Sequence, residues 1–136
     1  MKAVLRRALP WVAAVAGRAV RREPDGPIAL SDHPKILLLQ LQQVGDSMAV
    51  SPLLRALHQR YPDMMLDMLA SPAAKAVHQK SPHVHSMLTT ARGVPYDCVL
   101  ACVNQVSFRY ALTAAMTGAR RRIGFDVDGA GFLFTR

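Results

Sequence analysis

Residues 36–39, Ile-Leu-Leu-Leu, form an unbroken aliphatic run after Lys35. A strand with one wet face alternates apolar and polar residues, whereas a continuous run suits a strand covered on both faces, as in a parallel sheet. The run breaks at Gly45-Asp46. Over residues 47–59 the positions Ala49, Val50, Leu53, Leu54 and Leu57 then recur at helical spacing, which predicts an amphipathic helix ending at Tyr61-Pro62. Beyond it the pattern predicts a strand over 64–70, a short helix over 72–79 with proline in its first turn, and a weak strand over 85–89. A buried strand over 96–103, a helix over 107–117 stopped at Gly118 and a short strand over 122–125 complete the alternation. Strands separated by helices imply β-α-β units. The expected fold class is α/β, a Rossmann-like doubly wound parallel sheet.

Composition adds one domain and an appendage. The chain has 136 residues and 51% hydrophobic content, enough for a single core and far from the composition of a disordered protein. Its formal charge of +8 suggests nucleic acid until the charges are placed. Six of the 17 basic residues, Lys2, Arg6, Arg7, Arg18, Arg21 and Arg22, fall in residues 1–22 with no acid among them, leaving 11 basic against 9 acidic side chains elsewhere. The rest of the surface is nearly balanced and lacks basic clusters interleaved with aromatics, so no nucleic-acid partner is expected.

On a helix, Leu5, Ala8, Leu9, Val12, Val15, Ala16 and Ala19 would share a face opposite most of these cations. That pattern suits an interfacial helix attracted to anionic lipid, and it is too short to span a bilayer. A signal peptide ending at Ala14-Val15-Ala16 and a disordered extension are the alternatives. Pro10 and the arginines that follow favour the interfacial helix over a signal peptide. Residues 23–33, with Glu23-Pro-Asp-Gly-Pro27, read as a linker, and the domain spans 34–136.

Asp46 is the leading chemical candidate. It falls where the first strand passes into the first helix, the edge at which open parallel sheets bind ligands, and an aspartate there also makes a good helix cap. Cys98 and Cys102 read as buried free thiols of a reducing compartment, being too far apart along a strand for a disulfide and lacking zinc spacing. His83 and His85 alone make a poor metal site, so no metal is expected. There is no nucleophile elbow, P-loop or dinucleotide fingerprint.

Several segments together carry a resemblance. Lys35-Ile-Leu-Leu-Leu with Val44-Gly-Asp46, Ser51-Pro-Leu-Leu-Arg-Ala-Leu57, Tyr61-Pro62, Ser81-Pro-His-Val84, Tyr96-Asp97, Ser107-Phe-Arg109 and Gly118-Ala-Arg-Arg-Arg-Ile-Gly-Phe125 stand in an order and spacing similar to the amino-terminal half of glycosyltransferase family 9. These are the heptosyltransferases of lipopolysaccharide core assembly. The resemblance runs from Pro34 to Arg136. It implies the N-terminal half of a GT-B fold, an inverting, metal-independent transfer from a nucleotide sugar such as ADP-heptose, and no cofactor.

It further implies that Asp46 is the general base toward the acceptor hydroxyl, with Gly45 leaving room beside it. Gln42, Gln43 and Asn104 would offer amide hydrogen bonds to the acceptor, and Arg109 a cation to its phosphorylated parts. The partners would be a lipid-linked saccharide acceptor and, through a C-terminal domain missing from this chain, the nucleotide sugar. The expected place is cytoplasmic, peripheral on the inner membrane face through residues 1–22. By this reading the chain is a truncated fragment, inactive alone. A stand-alone α/β ligand-binding module that has lost catalysis is the alternative from another class.

Overall fold

The computed structural model describes residues 28–90, 94–102, 108–125 and 131–135. The segment expected as a basic helix, residues 23–27 of the linker, and Asn104 lie outside them. Within them, β1 (Lys35–Gln40), β2 (Met65–Ala70), β3 (Ser86–Leu88), β4 (Cys98–Ala101) and β5 (Arg121–Gly124) form one parallel sheet in the order β3-β2-β1-β4-β5. The uninterrupted aliphatics place β1 at the centre. Leu37 and Leu39 face one side and Ile36 and Leu38 the other, and all four are fully buried.

Helices cover both faces. On one, Val50 and α2 (Ser51–Arg60), through Leu54, cover Ile36, Leu38, Leu66, Met68, Cys98 and Leu100. On the other, Tyr110, Ala111 and Ala114 of α4 (Phe108–Met116) cover Leu37, Leu39, Leu69, Val99 and Ala101. Each fully buried leucine contributes roughly 2 kcal/mol relative to exposure. Small alanines on α4 let that helix lie close to the sheet. The short helices α1 (Val44–Ala49) and α3 (Pro72–His78) pack on one another. Ser71 caps α3, its hydroxyl accepting the Ala74 N–H at 3.1 Å.

The end of α4 and the last strand explain two of the family-like glycines. Gly118 takes φ +70, the left-handed conformation that terminates helices. Gly124 ends β5 against Phe134, whose ring would lie 2.5 Å from a Cβ at that position. The 131–135 segment is stitched back on β5. Thr135 donates its N–H to the Arg122 carbonyl at 2.7 Å, and the Arg122 side chain donates to the Leu133 and Ala119 carbonyls at 2.8 and 2.7 Å.

Two elements differ from the sequence expectation by more than one residue at a boundary. The first helix starts at Val44, not Ser47, and Val50 divides it into α1 and α2. Pro52 is the cause, because it has no N–H to donate to the Met48 carbonyl and its ring crowds that group. The strand expected over 96–103 pairs only over Cys98–Ala101. Before it, Asp97 takes over the pairing, accepting the Lys35 N–H on its carboxylate at 2.8 Å and donating its own N–H to the Lys35 carbonyl at 2.9 Å.

Candidate functional site

The strand order reverses between β1 and β4, so the connections leaving their carboxyl ends diverge and open a crevice. The connection after β1 carries Gln42, Gln43, Gly45 and Asp46. The one after β4 carries Asn104, which lies outside the described residues.

Asp46 is exposed, but it is not the helix cap. That position belongs to Gln43, in extended backbone and without a side-chain capping bond, while Asp46 is the third residue of α1. A carboxylate in the first helical turn is favoured by the unpaired N–H groups and the helix dipole. Gly45 is helical and not at positive φ, and a Cβ there would meet nothing within 4 Å. No protein atom therefore demands a glycine. The turn expected at Gly45 is the first turn of a helix.

The neighbouring backbone is tied down from beneath. Ser71 donates its hydroxyl to the Gln42 carbonyl at 2.7 Å and its N–H to the Gln40 carbonyl at 2.9 Å. The Gln42 side-chain oxygen is buried without a protein hydrogen bond. Gln43 is exposed. Under α1, the fully buried Gln40 side chain accepts a long, 3.4 Å bond from the Ser47 hydroxyl, and buried His78 holds its Nε2 2.7 Å from the Ser47 carbonyl.

Arg109 reaches the same edge from α4. It lines a cavity of about 270 Å³ with Leu41, Leu69, Thr89, Thr90, Thr113 and Thr117. One guanidinium and several hydroxyls beside a few aliphatics suit a hydroxyl-rich, anionic group. Of the site residues expected from the sequence, Arg109 alone lines this cavity among the described residues. Asp46 and Arg109 meet electrostatically at Tyr110. Burial, and then the Asp46 charge, push its phenol up, while the Leu41 N–H and Arg109 pull it down. The net effect is upward, so Tyr110 remains a neutral hydroxyl that accepts the Leu41 N–H at 2.9 Å. Sequence reading missed Tyr110 and His78. Both sit on inward helix faces, where a ring reads as core.

A second polar cluster lies mid-sheet. Asp67 on β2 is buried and accepts the Tyr96 hydroxyl at 2.9 Å and His85 Nδ1 at 3.1 Å. The Ser86 hydroxyl lies 3.1 Å from the same nitrogen. This satisfies a buried carboxylate and accounts for His85. The His83 ring sits against His58, with centroids 4.9 Å apart. Among the described residues no group of three or more potential metal ligands occurs. Cys98 and Cys102 lie on the α2 side with no disulfide between them, and burial raises the pKa of the Cys102 thiol.

The parallel sheet with helices on both faces and an exposed acid at its switch point makes this a Rossmann-like α/β domain. No family model matches the sequence, and no curated protein matches it significantly. Among solved structures, the ADP-heptose lipopolysaccharide heptosyltransferase II of E. coli is similar, with a TM-score of 0.63 and 26% identity over 74% of this chain. The match spans 33% of that protein, so this chain corresponds to about a third of its length. The domain is thus glycosyltransferase-like in fold, matching part of a GT-B heptosyltransferase.

Proposed function

We propose that this domain is the acceptor-binding half of an inverting glycosyltransferase that moves a heptose-type sugar from a nucleotide sugar, ADP-heptose, onto lipopolysaccharide core. The observation that carries the reading is the position of Asp46. It stands exposed in the first turn of α1, at the switch-point edge of a domain similar to a heptosyltransferase. A sugar hydroxyl is a poor nucleophile, and a carboxylate that takes its proton in the transition state raises the rate by about 10² to 10⁴.

Arg109 and the threonine-lined cavity would hold an anionic part of the acceptor, with Gln42, Gln43 and Asn104 on its hydroxyls. Phe108, Leu112 and Met116, four apart and exposed along α4, would lie along the apolar part of a lipid-linked acceptor. The reaction as proposed uses no metal and no cofactor. The diphosphate leaving group would be stabilised by a second, donor-binding domain. The enzyme would work on the cytoplasmic face of the inner membrane, residues 1–22 supplying peripheral contact. Among the described residues no helix is long and apolar enough to cross a membrane.

The test is transfer from ADP-heptose to a lipopolysaccharide core acceptor. The chain alone is expected to turn over nothing, and a two-domain enzyme carrying this domain is expected to be active. In that enzyme Asp46→Asn should lower kcat at least about a hundredfold with the melting temperature lowered by at most a few degrees, since asparagine keeps the shape, loses the base and gives up only the dipole interaction of about 0.3–1 kcal/mol. Normal kcat in the variant would remove Asp46 from the chemistry.

A further inference from the structure

The helix that carries Asp46 cannot orient itself. α1 has six residues and no side-chain N-cap, well below the length at which an isolated helix is stable. Nor is it fastened by apolar burial. Ser47 is its one buried residue, and its two large apolar side chains, Val44 and Met48, are 49% and 60% exposed. A short helix with its apolar residues in water needs other contacts to define where it points.

Beyond the Ser71 hydroxyl on the Gln42 carbonyl, two polar contacts from distant parts of the chain supply them. At the entry, Tyr110 of α4 accepts the Leu41 N–H at 2.9 Å, across 69 positions of sequence. At the last turn, His78 of α3 reaches the Ser47 carbonyl at 2.7 Å, across 31 positions. A carbonyl can only accept, so His78 carries its proton on Nε2 and donates it. His78 is 3% and Tyr110 6% exposed, and both are held by packing, so their polar tips are fixed points. Tyr110 keeps an O–H beyond the bond it accepts.

We propose that Tyr110 and His78 are positioning residues that clamp α1 at its two ends and thereby fix the direction of the Asp46 carboxylate. The clamp rests on the reading of Asp46 as the base for its purpose, but its existence is tested without activity. The charges of Asp46 and Arg109 both act on the Tyr110 hydroxyl, so the residue that holds the loop is within electrostatic reach of both groups. Neither residue takes a proton from substrate in this scheme.

The experiment uses the full chain, isotopically labelled, by NMR. Tyr110→Phe keeps the ring and removes the acceptor of the Leu41 N–H. Hydrogen exchange at Leu41 should quicken about five- to tenfold, the loss of roughly one hydrogen bond. The Gly45, Asp46 and Ser47 amides and the Asp46 carboxyl carbon should shift with it, while the melting temperature falls by only the few degrees that about one hydrogen bond is worth. His78→Leu should shift the same α1 resonances from the other end. His78→Gln, which retains a side-chain N–H donor, should return them toward the parent positions. Unshifted α1 resonances in both Tyr110→Phe and His78→Leu would overturn the clamp, as would a His78→Gln spectrum that matches His78→Leu. If the clamp signals appear and Asp46→Asn leaves transfer intact, the base assignment fails and the clamp stands.

Discussion

Gly45→Ala separates what the fold needs at this position from what a ligand needs. In the structure Gly45 is the second residue of α1, exposed, at ordinary helical φ, with open space where a Cβ would go. Alanine there removes backbone freedom from the unfolded chain and improves helix propensity, worth about 0.4–1 kcal/mol in favour of folding. For a domain of this size that corresponds to roughly 2–6 °C in melting temperature. The added methyl meets no protein atom, so no steric term offsets the gain. It does project into the space beside Asp46. If an acceptor saccharide closes against this backbone, the methyl displaces it, and a loss of about 1.4 kcal/mol is a tenfold weaker Kd.

Stability and binding should therefore move in opposite directions. Calorimetry or thermal circular dichroism gives the first quantity, and titration of the chain with a lipopolysaccharide core oligosaccharide gives the second. A lower melting temperature would show that the fold requires this glycine, against the geometry. A raised melting temperature with unchanged affinity would show that no ligand approaches Gly45.

Three further expectations follow from packing and charge. Gly124→Ala drives a Cβ into the buried Phe134 ring and should cost about 1–3 kcal/mol by denaturant unfolding, part of which Phe134→Leu in the same chain should recover; an unchanged midpoint would refute the contact. Burial, then the hydrogen bond and charge of Asp67, hold the Tyr96 phenol far above its ordinary value in the folded state, and burial raises Tyr110 as well. Unfolded phenols ionise near pH 10, so the unfolded chain loses protons first. The tyrosine contribution to stability should be flat below about pH 10 and fall as pH climbs above it, with a shallower fall in Tyr96→Phe; equal slopes would exclude Tyr96 as the source. A peptide of residues 1–22 should become helical on anionic vesicles, weakly on neutral ones, and dissociate in high salt, each of its cations contributing on the order of 1 kcal/mol near the surface. Failure to bind either vesicle would dismiss the membrane contact.

Much of this protein is legible in residue order alone. The unbroken aliphatics of 36–39 required a strand covered on both faces, and that made β1 the centre of a parallel sheet with helices above and below. Gly118 marked the end of α4, and Asp46 was locatable at the carboxyl edge of the sheet from residue order alone. Periodicity succeeds there because it reports burial along one element, a local property. It could not show that Pro52 would split the first helix, or that Asp46 would fall inside α1 and not cap it. Nor could it pair Leu41 with Tyr110, Ser47 with His78, or Asp67 with Tyr96. In sequence Tyr110, His78 and Tyr96 pass for core, since a ring on an inward face carries the same signal whether or not its polar tip has a partner. Their partners lie 29 to 69 positions away and meet only because the strand order β3-β2-β1-β4-β5 brings those elements together. The direction in which the candidate base points is therefore a property of tertiary structure: it depends on buried donors and acceptors, which must be satisfied by whatever the fold places within reach.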